Sequence, residues 1–232
     1  MRSSERTEIL TETARHIDAV LFDFGLVLSG PPEPATWARM KEIARLDEAA
    51  LHAGYWAHRH DYDRGALTGP AYWNAVASHA GTHFDASQVE ALIAADTDLW
   101  TDMNEPMVEW AMRLGRAGVR TGILSNIGDS IAEGICAKLP WLEDFYHCTW
   151  SHALRMAKPQ AAIYVHAAEG LETEPAKILF IDDRAENIEA ARGVGMQAIR
   201  YDGHAEFERT MRAKGFGWLL DVGRPVSAAQ GS

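Results

Sequence analysis

Five short apolar segments, separated by stretches with helical spacing, constrain this chain more than any other feature. Residues 19–24 (AVLFDF), 119–124 (VRTGIL), 146–150 (YHCTW), 177–182 (KILFID) and 196–201 (MQAIRY) read as strands. The first is close to a continuous apolar run, the pattern of a strand covered on both faces. Helical stretches fall between them, at 105–116, 129–138, 159–169, 185–193 and 205–214. In the 105–116 stretch Val108, Ala111, Met112 and Gly115 share one face. Strands alternating with helices predict an α/β fold, a doubly wound parallel sheet with helices on both faces. In such sheets ligands bind beyond the carboxyl ends of the strands.

Residues 31–104 interrupt the alternation. They hold no convincing strand but four helical patterns, at 35–46, 47–59, 69–80 and 86–97. Trp37, Met40, Ile43 and Ala44 recur at helix spacing, as do Val89, Leu92 and Ile93. Pro31, Pro32 and Pro34 mark the entry. The expected organisation is a core begun by residues 1–30 (1–16 a tail), an all-helical insertion over 31–104, the rest of the core over 105–222, and a flexible tail over 223–232. An insertion directly after the first strand belongs above that strand's carboxyl end, where a lid would sit. Trp37, Trp56, Trp73 and Trp100 in this insertion are expected in its core.

The charge balance narrows the partners. The chain carries 22 basic and 33 acidic residues, a formal net charge of −11, which excludes a general nucleic-acid binder. No run is long enough to span a bilayer, and the N-terminal residues lack the apolar centre of a secretory signal. A cytoplasmic location is expected, with Cys136 and Cys148 as reduced, small residues in or near the core.

Polar residues stand at the ends of the apolar runs. Asp23 closes the first, Ser125 the second, in LSN, and Asp182 and Asp183 the fourth, in FIDD. Lys158 lies between the third strand and its helix, before Pro159, which suits a first helical turn. A parallel sheet brings these ends to one edge. Three crowded carboxylates repel one another unless a cation neutralises them. Without histidine or cysteine in the set, a hard, oxygen-seeking ion such as Mg²⁺ is the natural one. A carboxylate can attack phosphorus and form an acyl phosphate. Lys158 would offset phosphoryl charge, and the Ser125 hydroxyl with nearby N–H groups would bind its oxygens.

The four blocks FDFGLVL, LSN, RMAKPQAAIY and FIDDRAENIEAARGVGM resemble, in order, the motifs of the haloacid dehalogenase superfamily, over Asp18 to about Tyr201. The resemblance implies a Rossmann-like core with a helical cap inserted after the first motif. It implies Asp23 as nucleophile and metal ligand, and Gly25 as a metal ligand through its carbonyl. Ser125 would bind phosphate with the Asn126 backbone, and Lys158 would stabilise Asp23 and the phosphoryl oxygens. Asp183, with Asp182 beside it, would be the carboxylate ligand of Mg²⁺, and Asn187 would orient Asp183 or a metal-bound water. Because caps in this superfamily set specificity, His60, Asp61 and Arg64 in the insertion are candidate substrate contacts.

The activity implied is a Mg²⁺-dependent phosphatase acting on a small phosphorylated metabolite, a sugar phosphate among the candidates, through an aspartyl-phosphate. The departure is Gly25, where most phosphatases of the superfamily carry an aspartate that serves as general acid and base. Two alternatives follow. One is a metal-independent 2-haloacid dehalogenase, for which Arg39 is the nearby arginine that would hold halide. The other is a phosphate-binding protein without turnover.

Overall fold

The computed structural model describes residues 16–224, and within it five strands form one parallel sheet. They are β1 (Ala19–Phe22), β2 (Arg120–Ser125), β3 (His147–Trp150), β4 (Ile178–Asp182) and β5 (Gln197–Arg200), in the order β3-β2-β1-β4-β5. The expectations for residues 1–15 and 225–232 lie outside the described residues. Every residue of β1 is buried, because the strand is central and both its faces are covered. Val20 and Phe22 join the core on one face and Ala19 and Leu21 that on the other, as the period-two geometry of a strand requires.

Helices α5 (Glu105–Arg116), α6 (Asp129–Lys138), α10 (His204–Ala213) and α11 (Gly217–Asp221) supply side chains to the first face, where Trp110 meets Phe22 edge-on at 5.4 Å. Helices α8 (Ala161–Gly170) and α9 (Ala185–Gly193) cover the second. The strand order reverses at β1, which lies between β2 and β4. That reversal opens the crevice in which open α/β sheets bind ligands.

Four helices occupy the stretch between β1 and β2: α1 (Pro34–Ala44), α2 (Glu48–Asp63), α3 (Gly69–His79) and α4 (Ala86–Asp98). Asp47, Thr68 and Asp85 cap the last three through their side chains. Helix α2 runs one turn beyond the 47–59 read from sequence. Arg59 bridges to Asp63 at 2.8 Å, four residues on, and Tyr62 is buried, so the last turn is held from both sides. The two connecting segments run side by side: Ser29 and Met103 form an antiparallel bridge, and the Asn104 side chain donates to Val27 O and to the Tyr201 hydroxyl, both at 2.8 Å.

Helix α7 (Ser151–Leu154) follows β3. Pro159 does not enter the first turn of α8, which begins at Ala161. Residues 157–160 instead form a turn in which Gln160 N donates to Ala157 O and its side chain accepts from Ala157 N, and the Lys158–Pro159 peptide is cis.

The inserted helices lean on the β2–α6 side of the sheet at very close range. A Cβ on Gly134 would stand 2.6 Å from Thr97 Cγ2, and one on Gly128 would enter the Tyr62 ring. Asp98 takes both Arg39 from α1 and Lys138 from α6. Gly128→Ala is therefore expected to cost about 1–3 kcal/mol by overpacking. An urea unfolding curve should show an earlier midpoint with an unchanged slope; an unshifted midpoint would mean that this contact is loose.

Candidate active site

Strand β1 ends at Phe22, and the chain turns at once. Asp23 N still donates to Ile181 O of the neighbouring strand β4, at 2.8 Å, so residue 23 keeps the sheet's register. Residues Phe24–Leu28 then make one wide turn, closed by Ser29 N on Phe24 O at 2.8 Å. The turn drives Leu26 into the left-handed region at φ 59°, a conformation that costs a leucine energy and is found where surrounding structure enforces it. Asp23 is left at the strand tip, its Oδ1 accepting from Phe24 N at 2.7 Å.

Lys158 meets Asp23 there. Its ammonium lies 2.8 Å from Asp23 Oδ1 and 2.7 Å from Asp182 Oδ2, and the side chain is almost wholly buried. The backbone of Lys158 is clamped by Asn126, whose Oδ1 accepts from Lys158 N at 2.8 Å and whose Nδ2 donates to Lys158 O at 3.0 Å. The loop after β2 thus fixes the lysine that bridges β1 and β4. Burial opposes the Lys158 charge, but the two carboxylates outweigh it and hold its pKa above the ordinary lysine value.

The carboxylates divide into two kinds. Asp182 is saturated: Arg184 N and Asn187 Nδ2 donate to Oδ1, at 2.8 and 2.9 Å, while Lys158 and the same Asn187 amide reach Oδ2. Burial works against its ionisation, but Lys158 and these hydrogen bonds prevail and its pKa falls below the usual range. Asp23 behaves oppositely. Burial pushes it up to about 8, Lys158 opposing and Asp182 adding to the rise. Asp183 is also raised, by burial and by Asp182.

Oxygens of Asp23, Asp182 and Asp183 all lie within 4.8 Å of one another. Two raised carboxylates beside one ammonium lack positive charge, and an oxygen-only donor set of this size suits a hard divalent cation. Asp23 and Asp183 are the carboxylates with the capacity to hold it, since Asp182 is already committed.

A cavity of about 530 Å³ opens over this edge. Asp23, Gly25, Ser125, Asn126, Lys158, Asp183 and Asn187 line its floor, and Trp56, Arg59, His60, Asp63 and Trp100 line it from the inserted helices and the segment after them. The sequence reading and the structure part company at several residues. Arg64 does not line the cavity; it sits just past the end of α2, half-exposed, with its Nε on Asp61. The arginine that the inserted helices bring to the cavity is Arg59, buried one turn earlier. Asn187 donates to Asp182, not to Asp183. Trp73 is fully buried as expected, whereas Trp56 is 53% exposed and Trp100 lies against Gly25, both on the cavity wall. Arg39 is bound to Asp98 and stands away from the cavity. Cys136 is exposed and Cys148 half-buried, and neither lines the cavity.

Arg59 was legible only as one more charge on a helix. In the structure its Nε reaches Asp63 at 2.8 Å, its Nη1 lies 3.4 Å from Asp96 and contacts the Tyr55 hydroxyl, and the guanidinium faces the rings of Tyr55, Tyr62 and Trp100. Tyr55, Arg59 and Tyr62, spaced at four and three residues, are the only sequence signal of this inward face.

The sequence matches the family of haloacid dehalogenase-like hydrolases over residues 17–195, most of the chain. The chain belongs to the haloacid dehalogenase-like hydrolases. Among curated members, a drimenol cyclase of Aspergillus calidoustus is 24% identical over 84% of this chain, which spans only 36% of that protein. A sesquiterpene phosphatase of Aspergillus oryzae is 24% identical over 78% of this chain and 88% of its own length. Among solved haloacid dehalogenase folds, a family enzyme of Bacteroides thetaiotaomicron in complex with magnesium and inorganic phosphate superposes with a TM-score of 0.66 at 21% identity, covering 82% of this chain and 98% of that one. The L-2-haloacid dehalogenase of Xanthobacter autotrophicus superposes at 0.60 and 19% identity, over 86% and 83%. At these identities the structural likeness speaks for the fold. No helix among the described residues is long and apolar enough to cross a membrane.

Removing the ammonium leaves two buried carboxylates without a cation beside them. Lys158→Met is expected to lower the unfolding free energy by about 3–5 kcal/mol, the usual cost of breaking a buried pair from one side. Chemical denaturation checks this, and a variant as stable as the parent would mean that Asp23 and Asp182 do not depend on Lys158.

Proposed function

We propose that this hydrolase is a Mg²⁺-dependent phosphatase that cleaves a small phosphate monoester through an aspartyl-phosphate on Asp23. The observation that carries the reading is the convergence of Asp23, Asp182 and Asp183 within 4.8 Å, with Lys158 bridging the first two. Mg²⁺, held by Asp23, Asp183 and the Gly25 carbonyl, would lower the charge on the phosphoryl oxygens. The remaining work falls to the chain. Ser125 and the N–H groups after β2 bind phosphoryl oxygens, and Lys158 aims Asp23 and, with the cation, favours its ionised form. The Asp23 carboxylate attacks phosphorus, the bond to the leaving oxygen breaks, and water later cleaves the acyl phosphate to return Asp23. Asp182, with all its lone pairs taken, positions Lys158, and Asn187 positions Asp182.

The dehalogenase reading fits less well. A 2-haloacid brings its own carboxylate and sheds halide, so its site needs a free cation. Both arginines that line this cavity are already paired, Arg59 with Asp63 and Asp96 and Arg184 with Glu186. Three carboxylates gathered within 4.8 Å around one ammonium suit a bound divalent cation better than a metal-free displacement at carbon.

The cavity walls bear on the organic half of the substrate. Trp56 and Leu26 are 53% and 39% exposed, and both line the cavity with Phe24, Trp100 and Ile127. Polar cap groups that would recognise sugar hydroxyls are few: Arg59 is held by Asp63 and Asp96, and Asp63 has one oxygen on Arg59, leaving that carboxyl's other oxygen and His60. An apolar alcohol therefore fits better than a sugar, and a sesquiterpene phosphatase stands among the relatives.

An assay of purified protein with Mg²⁺ against alkyl, aryl, prenyl and sugar phosphates tests this. Turnover is expected on the apolar esters, abolished by chelator and by Asp23→Asn, with no halide released from 2-haloacids. Halide release that persists in chelator would replace the phosphatase reading with the dehalogenase one.

A further inference from the structure

Gly25 removes the side chain that gives most phosphatases of this superfamily their acid and base, and the space is not vacant. A Cβ at Gly25 would stand 3.3 Å from Trp100 Cζ3, so the indole fills the direction in which that side chain would extend. Protonating an alkoxide leaving group and activating water must then fall to another residue of the cavity.

Of the titratable side chains lining it, Arg59, Arg184 and Lys158 are fixed cations at neutral pH. Asp23 is the attacking group and Asp183 a cation ligand. That leaves His60 and Asp63. His60 is exposed, and no hydrogen bond among the described residues orients it. Asp63 is held on every side. Its side chain is 16% exposed, and Arg59 Nε donates to its Oδ1 at 2.8 Å. Its carbonyl accepts from Ser151 Oγ, which in turn accepts from Ile127 N at 2.8 Å. One hydroxyl therefore ties the backbone of Asp63 to the loop two residues beyond Ser125, the loop that would bind the phosphoryl oxygens. A general acid must be placed by geometry before anything else, and this carboxyl lines the same cavity as Asp23 and Ser125 on a backbone anchored to the loop after β2.

We propose that Asp63 is the general acid and base of this hydrolase, acting in place of the side chain absent at Gly25. As Asp23 attacks phosphorus and the bond to the leaving oxygen breaks, the Asp63 carboxyl gives its proton to that oxygen and the alcohol departs. The Asp63 carboxylate then takes a proton from water as that water attacks the aspartyl-phosphate. Phosphate leaves, Asp23 is restored, and Asp63 is again protonated. Its environment suits both roles: burial, opposed by Arg59, pushes it up to about 6, near the range in which a single group can give and take a proton. Arg59 is the positioning residue, turned toward the cavity by Asp96 and its ring of aromatics.

This assignment rests on the phosphatase reading, and the test separates the two. Wild-type protein and Asp63→Asn are assayed with Mg²⁺ on p-nitrophenyl phosphate, whose leaving group needs no proton, and on hexyl phosphate, whose leaving group does. Asp63→Asn is expected to lose about 10²–10⁴-fold of turnover on hexyl phosphate. On p-nitrophenyl phosphate it should keep the wild-type first turnover, then stall with phosphate bound covalently to Asp23. Unchanged inhibition by inorganic phosphate would show the site intact, and Asp63→Glu should recover part of the alkyl activity. Equal losses on both esters, first turnover included, or no loss on either, overturn the assignment while leaving the phosphatase reading in place. Wild-type protein inert toward every ester overturns both. Should the variants not fold, the wild-type enzyme still decides: rates that change little with leaving-group basicity support an internal acid, and a steep dependence contradicts it.

Discussion

One ammonium group holds the active edge of this protein together. Lys158 sits between Asp23 at the tip of β1 and Asp182 at the tip of β4, within 2.8 Å of each. Burial works against the charge of both carboxylates, and Lys158 works for it. The arrangement is asymmetric. Asp182 receives so many donors that its charge is settled, whereas Asp23 keeps one oxygen outside the pair and a pKa far above the carboxylate norm. The nucleophile role proposed for Asp23 needs such residual capacity. It is held, but not satisfied.

The loop after β2 gives Lys158 its place, since the Asn126 side chain grips the lysine backbone from both directions. The same loop follows Ser125 directly and, through Ser151, meets the end of α2. Floor and roof of the cavity thus share one set of backbone anchors. The inserted helices rest on this side through contacts too close for a side chain at Gly128 or Gly134. The candidate site thus divides into strand ends on one side and packed helices on the other.

That division also explains what the sequence disclosed. Asp23, Ser125, Lys158, Asp182 and Asp183 each punctuate an apolar run, and a parallel sheet places such punctuation on one edge whatever the details of packing. The doubly wound core was legible for the same reason. Contacts made across the inserted helices were not. Arg59 and Arg64 are both arginines near the end of one helix, yet one is buried in a cage of tyrosines and the other pairs outward with Asp61, a difference fixed by helix rotation. Trp56 and Trp73 read alike in composition and part in burial, because α3 is enclosed by its neighbours and that face of α2 is not. Asn187 was placed correctly on the first turns of α9, but which of two adjacent carboxylates it serves depends on the strand pleat, which turns Asp182 inward and Asp183 toward the cavity.

The central claim is that a divalent cation and Lys158 divide the neutralisation of the strand-end carboxylates between them. A crystal structure grown with Mg²⁺ and inorganic phosphate tests it most directly. The account predicts the metal on Asp23, Asp183 and the Gly25 carbonyl, phosphate against Ser125 and Lys158, and Asp182 still facing Lys158. Metal bound through Asp182 with the lysine displaced, or phosphate lodged away from Asp23, would contradict it.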